Sequence, residues 1–195
     1  MTVFDATSMT PAASSFVPEP PVHLLSGEQA RAVIPDLAKL LKDCVEDGAG
    51  IGFVLPLTLE KAEVFWQERA AAVASGTAFM LVAKDGAEIA GVVMLCLAPQ
   101  DNGRHRADVA KLMVHPDHRR KGLARKLMTA IDGLALSLGR WLLVLDTVTG
   151  DRAEKLYPTC GYIKVGVIPD YASGSHEGLD DTTVFYKDLR EIIPK

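Results

Sequence analysis

The chain has 195 residues, 48% of them hydrophobic and 24% charged, with a formal net charge of −4 at pH 7. That length and composition suit one globular domain with a substantial core, and the acidic balance excludes a nucleic-acid surface built on overall charge. Three widely spaced cysteines, Cys44, Cys96 and Cys160, exclude a disulfide framework. No apolar run is long enough for a membrane-spanning helix, and the first residues lack the basic start and apolar centre of a signal peptide. A cytoplasmic protein with reduced thiols and no membrane partner is expected.

In chain order, residues 1–21 are rich in Thr, Ser, Ala and Pro without periodicity and read as a disordered tail, leaving 22–195 as the domain. Residues 28–46 have helical spacing, with Ser26 or Gly27 at the cap and Pro35 as an interior kink. The run Gly48-Ala49-Gly50-Ile51-Gly52-Phe53 stops that helix, and residues 58–75 form another, capped by Thr58 and closed near Gly76. Residues 79–83 and 89–97 read as a hairpin about Lys84-Asp85-Gly86, since Asp-Gly favours a tight turn. Residues 107–114 alternate and end apolar, a half-buried strand stopped by Pro116. Leu123, Ala124, Leu127, Met128, Ile131, Leu134, Ala135 and Leu138 then recur at three- and four-residue steps, a helix with one buried face. A buried strand at 141–146, a short helix carrying Tyr157, and strands near 162–168 and 182–189 complete the chain.

The start of the 123 helix is unusual. Arg119, Arg120, Lys121, Arg125 and Lys126 crowd its first turn, where the helix dipole disfavours cations. The crowding makes sense where a multiply charged anion is held, with Gly122 and the small Ala124 letting backbone amides approach it. The competing reading is a solvated basic face. Neither the Walker pattern nor the dinucleotide fingerprint is present, because the turn carries a single glycine and no Gly-Lys-Ser/Thr.

Arg119-x-x-Gly122-x-Ala124, after Leu112-Met113-Val114-x-Pro116, resembles the acetyl-coenzyme-A motif of the GCN5-related N-acetyltransferase (GNAT) superfamily, Gln/Arg-x-x-Gly-x-Gly/Ala. A second stretch, Ala153-Glu154-Lys155-Leu156-Tyr157-Pro158-Thr159-Cys160-Gly161-Tyr162, is similar to the family's Ala-x-x-x-Tyr-x-x-x-Gly-Phe/Tyr element. The resemblance implies an α+β fold in three layers: a mixed central sheet of six or seven strands flanked by about four helices. A splayed V between the two central parallel strands is part of that fold.

The same resemblance implies roles for residues. Acetyl-coenzyme A is the implied donor. Arg119, Arg120, Lys121, Gly122, Leu123, Ala124 and Arg125 would surround its pyrophosphate, and backbone groups of Leu112, Met113 and Val114 would bind the pantetheine arm beside a strand bulge. An ordinary paired strand is the alternative to the bulge. Tyr157 corresponds to the tyrosine that gives a proton to the departing thiolate in many members, or else only packs on the cofactor arm. Gly150 stands where many relatives have an asparagine that contacts pantetheine, leaving Asp151 or Arg152 as replacements.

Asp108 and Asp146 sit near the expected strand separation. Each is a candidate base, an amine-binding carboxylate, or a structural hydrogen-bonding group. Gly50-Ile51-Gly52-Phe53, Arg106-x-Asp108-x-x-Lys111-Leu112-Met113-Val114, Leu145-Asp146-Thr147 and the Tyr171 region are similar to the tabtoxin-resistance-type branch, which acetylates small amino-acid-like amines. Gly50 would then form a lip of the amine pocket and Phe53 its apolar wall, unless the glycine cluster is only a helix stop. The loop at 171–176 would cover the site or simply lie in solvent.

The expected activity is acetyl transfer to a primary amine of a small amino-acid-like, antibiotic or toxin substrate by direct attack in a ternary complex. Its rivals are protein N-terminal or lysine acetylation and a non-catalytic acyl-coenzyme-A sensor. His105, His115 and His118 lack the carboxylate and the helical pairing of a zinc site, so no metal is expected. Cys160 reads as a core thiol. The chain is expected to be a monomer or homodimer.

Overall fold

Strands β2 (Ala78–Asp85) and β3 (Glu88–Leu97) are apolar at almost every position because both of their faces are covered. The computed structural model describes residues 16–174 and 178–191. On β2, Leu81 and Ala83 pack into one core with Leu127 and Ile131, while Met80 and Val82 pack into another with Leu37, Leu41 and Trp66. The alternation of strand side chains thus assigns each residue to one of two helical layers.

One layer consists of α1 (Gly27–Ala32), α2 (Ile34–Glu46) and α3 (Leu59–Ala74). The opposite layer is α4 (Leu123–Ser137), with the short α5 (Arg152–Leu156) beside it. Between them lie β1 (Val22–Leu25), β2, β3, β4 (Arg106–Val114), β5 (Leu142–Val148), β6 (Ile163–Ser173) and β7 (Leu179–Asp188). The seven strands are ordered β1-β2-β3-β4-β5-β7-β6, and every neighbouring pair is antiparallel except β4 with β5. This is the mixed α+β sheet expected from the sequence.

Several boundaries differ from the sequence reading. Residues 28–46 form two helices that part at Val33. Pro35 lies in the first turn of α2, where its missing N–H breaks no helical bond, so it starts a helix rather than kinking one. Ser26 caps α1 in a reciprocal pair with Gln29. The four-residue strand β1 was not foreseen, because Val-His-Leu-Leu is too short to show a period. Phe16, assigned to the tail, packs against α4 at Gly133, so ordered contacts begin before residue 22. Residues 1–15 of that tail lie outside the described residues.

The central pair β4 and β5 is joined only from Arg106 to Asp108 and from Leu142 to Val144. β4 nevertheless follows β3 as far as Val114, and β5 follows β7 as far as Val148. On β4 the register to β3 slips between Ala110 and Met113, which oppose Met94 and Val92, so one extra residue is inserted. Lys111 stands in that bulge with φ of +56°. The bulge and the splayed V are therefore both present, and the fully paired strand is excluded.

A buried ion pair ties the α4 layer to the end of the sheet. Lys187 Nζ on β7 lies 2.5 Å from Asp132 Oδ2 on α4 and donates to the Cys160 carbonyl at 2.6 Å. The second contact holds the turn that follows Tyr157. Removing one partner of a buried pair strands the other charge, at a cost of about 3 kcal/mol or more. Asp132→Ala is expected to lower unfolding free energy in urea by about that amount, with the joint replacement Asp132→Leu and Lys187→Met restoring most of it. A loss below about 1 kcal/mol for Asp132→Ala would show that the pair contributes little.

Candidate active site

A cavity of about 620 Å³ opens where β4 and β5 separate. Its walls come from the 48–52 turn, the end of β4, the turn before α4, the end of β5, α5, and facing residues of β6 and β7. Leu112, Met113, Val114, Arg119, Arg120, Ala124, Asp146, Asp151, Tyr157 and Gly50 all line it. Lys121, Gly122, Leu123, Arg125, Phe53 and Asp108 do not.

The turn before α4 is shaped to receive an anion. Arg120 and Gly122 have φ of +63° and +78°, a pair of left-handed residues that turns the chain sharply into α4. Among the described residues, no protein acceptor takes the amides of residues 120–125; the next one, Lys126, donates to the Gly122 carbonyl. Free N–H groups at a helix N-terminus favour a negatively charged partner.

The basic side chains around it have diverged in role. Arg119 donates to the Val114 carbonyl at 3.3 Å and pairs with Asp47, which also meets Arg152 at 3.2 Å. Arg119 first, and Arg152 after it, hold the Asp47 carboxyl below its ordinary range. Lys121 pairs with Asp85 at 2.7 Å, and Arg125 clasps Thr159 through its carbonyl and hydroxyl at 2.8 and 3.0 Å. Leu123 is 7% exposed and belongs to the core. Arg120, which lines the cavity, makes no hydrogen bond or ion pair among the described residues.

Tyr157 ends α5 and is 5% exposed, packed at 5.9 Å from the ring of Tyr162 and 5.6 Å from that of Phe185. Burial, then the carboxylates of Asp151 and Asp146, push its hydroxyl well above the ordinary tyrosine value. It therefore keeps its proton well into the alkaline range. The glycine at 150 has φ of +86°, and its amide donates to Glu154 Oε2 at 2.6 Å. Asp151 caps α5, and both Asp151 and Arg152 face the cavity.

Asp108 and Asp146 differ in position. Asp146 Oδ2 accepts from the Thr182 hydroxyl at 3.0 Å on the cavity wall. Asp108 sits at the last β4–β5 pair, just short of the cavity. Burial raises its carboxyl above the usual range, Arg106 works against that, and the charge of Asp146 adds to it. Phe53 packs edge-on to Phe65 at 5.1 Å, behind the turn whose Gly50, Ile51 and Gly52 form the lip. Tyr171 and Ala172 line the cavity as residues of β6 rather than of a loop, while Ser175 and His176 lie outside the described residues.

Lys111 had no role in the sequence reading, although it stands in the quoted motif. The bulge turns its side chain into the cavity, where Nζ donates to the Ile51 carbonyl at 2.8 Å and lies 5.5 Å from the centre of the Phe65 ring. Burial, then Arg69, lower its ammonium below the ordinary lysine value, and Asp146 partly opposes them. No sequence signal marks it, since left-handed geometry at a lysine arises only from the bulge. His115 and His118 bond to separate carboxylates, Asp43 at 3.1 Å and Asp85 at 2.9 Å. Burial pushes the Cys160 thiol up.

Residues 76–164 match the family model of the acetyltransferase (GNAT) domain. A 113-residue stretch is 27% identical to the catalytic subunit of the N-terminal acetyltransferase B complex of Arabidopsis thaliana, covering 56% of this chain and 64% of that one. A 68-residue stretch is 32% identical to glucosamine 6-phosphate N-acetyltransferase of Schizosaccharomyces pombe, covering 34% of this chain and 60% of that one. The matches thus span less than two thirds of either relative. The fold is shared with yncA of Salmonella typhimurium, whose structure contains its cofactor acetyl-CoA, at a TM-score of 0.68 and 19% identity over 86% of this chain and 92% of that one.

A carboxylate placed at the left-handed turn is expected to oppose an anion there. Gly122→Asp adds both a strained φ and a negative charge beside the six free amides. Calorimetric affinity for coenzyme A is expected to fall by about a hundredfold or more. Unchanged affinity would remove this turn from the binding site.

Proposed function

We propose that this chain is an acetyl-coenzyme-A-dependent N-acetyltransferase acting on the primary amine of a small, amino-acid-like molecule. The observation that carries it is a single cavity lined by an edge of β4 without a strand partner, by Arg120 and Ala124 of the turn whose amides are free, and by Tyr157 with its protonated hydroxyl. Acetyl-coenzyme A, the donor used by the GNAT family, supplies the acetyl group as a thioester.

The chain's own groups suit that donor. The amides of residues 120–125 with Arg120 would hold the pyrophosphate, and the inner edge of β4 at Leu112, Met113 and Val114 would bind the amide groups of the pantetheine arm as a strand would. A free β4 amide would also polarise the carbonyl under attack. Asp146 faces the place where an amine enters, and its carboxylate favours a cationic amine and is able to take a proton through water. Tyr157 holds a proton at its hydroxyl for the departing sulfur. Holding amine and thioester together removes much of the entropic barrier to direct attack.

Acetylation of protein N-termini is the second reading, supported by the name of the Arabidopsis relative. Thiol release measured across amino acids, amino sugars, antibiotics and peptides separates the two. Turnover of small amines is expected, turnover of peptides alone would overturn the small-molecule reading, and coenzyme A binding without turnover on any amine would leave a sensor.

Tyr157→Phe is expected to reduce kcat by about a hundredfold while changing coenzyme A affinity little. Because burial holds its proton, the wild-type kcat profile should show no fall from tyrosine ionisation up to pH 10, the ordinary tyrosine value. An equal kcat in the variant would remove the acid role.

A further inference from the structure

The cavity is electrically divided. On its β5–β7 side stand Asp146, Asp180 and Asp181. On its β4 side stands Lys111, backed by Arg69 of α3. Lys111 and Arg69 share the ring of Phe65, with Nζ at 5.5 Å and the Arg69 guanidinium carbon at 5.3 Å from its centre. Two half-buried cations around one ring repel each other unless an anion joins them.

Neither has a strong counter-ion. The Lys111 ammonium makes one hydrogen bond, to the Ile51 carbonyl, and no ion pair among the described residues. Arg69 meets a carboxylate only at Glu68, at 3.4 Å with the Glu68 side chain 65% exposed, and its buried Nε has no acceptor. A lysine ammonium carries three donors, so two at Lys111 are available to a ligand in the cavity. Charged groups set this way are costly in isolation and favourable once an acceptor arrives.

We infer that Lys111, reinforced by Arg69, is an anion subsite that takes the carboxylate of the amine substrate while Asp146 on the facing wall takes its ammonium. The inference rests on the acetyltransferase reading and narrows it to short zwitterionic amines. A carboxylate fits better than a phosphate at this point, because Lys111 offers one ammonium and the nearby Asp146 would repel a dianion more strongly than a monoanion. The bulge is what aims the anchor. Lys111 in an ordinary β conformation would not share this geometry with the 48–52 turn, whose Gly52 leaves Nζ only 3.3 Å from where a Cβ would stand.

The test compares free L-amino acids with their carboxamides in the thiol-release assay, with glucosamine 6-phosphate as a phosphate-bearing amine. The wild type is expected to favour acids over carboxamides in kcat/KM by about tenfold or more. Lys111→Met should bring that ratio near one, and Lys111→Arg should restore most of it, since methionine and arginine are unbranched and meet the same backbone strain as lysine. Arg69→Gln should reduce the ratio partway. Carboxamides used as well as acids by the wild type, a preference for glucosamine 6-phosphate over every acid, or a +42 Da acetyl mark on Lys111 itself would each overturn the inference. Coenzyme A affinity of Lys111→Met falling by the same factor as the acid preference would also overturn it, because the groove rather than the anchor would then be damaged. Coenzyme A binding with no turnover of any amine, peptides and glucosamine 6-phosphate included, removes the acetyltransferase reading and the anchor with it, whereas turnover of those amines but of no acid or carboxamide overturns the anchor alone.

Discussion

The parting of β4 from β5 governs everything else in this molecule. Each strand keeps its outer partner, β4 with β3 to Val114 and β5 with β7 to Val148, so the two cannot stay together once the bulge adds a residue at Lys111. Their inner edges lose each other after Asp108 and Val144. Backbone polar groups left this way require another partner. The gap is thus an unfinished piece of sheet.

The gap lies next to two sources of charge with opposite uses. At one end lie the free amides of 120–125, and Asp47 beside them pairs with both Arg119 and Arg152, offsetting part of their charge. At the other end Asp146 faces Lys111 across the cavity. Tyr157 sits between these ends, with the turn after it fixed by the Lys187 contact to the Cys160 carbonyl. A buried ion pair on the α4 layer therefore bears on the position of Tyr157.

Much of this was legible in the chain. The helical period after Leu123, the basic first turn and the left-handed Gly122 were legible, because each is a local property of sequence. Tyr157 and the β4 residues Leu112, Met113 and Val114 were legible by motif, and all four face the cavity. Other candidate side chains are engaged elsewhere for physical reasons. Lys121 and Arg125 are taken by Asp85 and Thr159, partners 36 and 34 residues away that no local pattern reveals. Phe53 turned to Phe65 and away from the cavity, since an aromatic side chain beside another finds its burial there.

The sequence by itself determined the order of elements, the capped helices and the chemistry of the turn before α4, because caps, periods and glycine positions act over a few residues. Only the tertiary structure decided which charges meet. Lys111 and Asp146 come from β4 and β5 and share one cavity, with Arg69 of α3 behind the Phe65 ring, because a single extra residue in β4 redirects a side chain that a regular strand would point elsewhere. A bulge is a mismatch between two paired strands, so it belongs to neither strand's sequence alone.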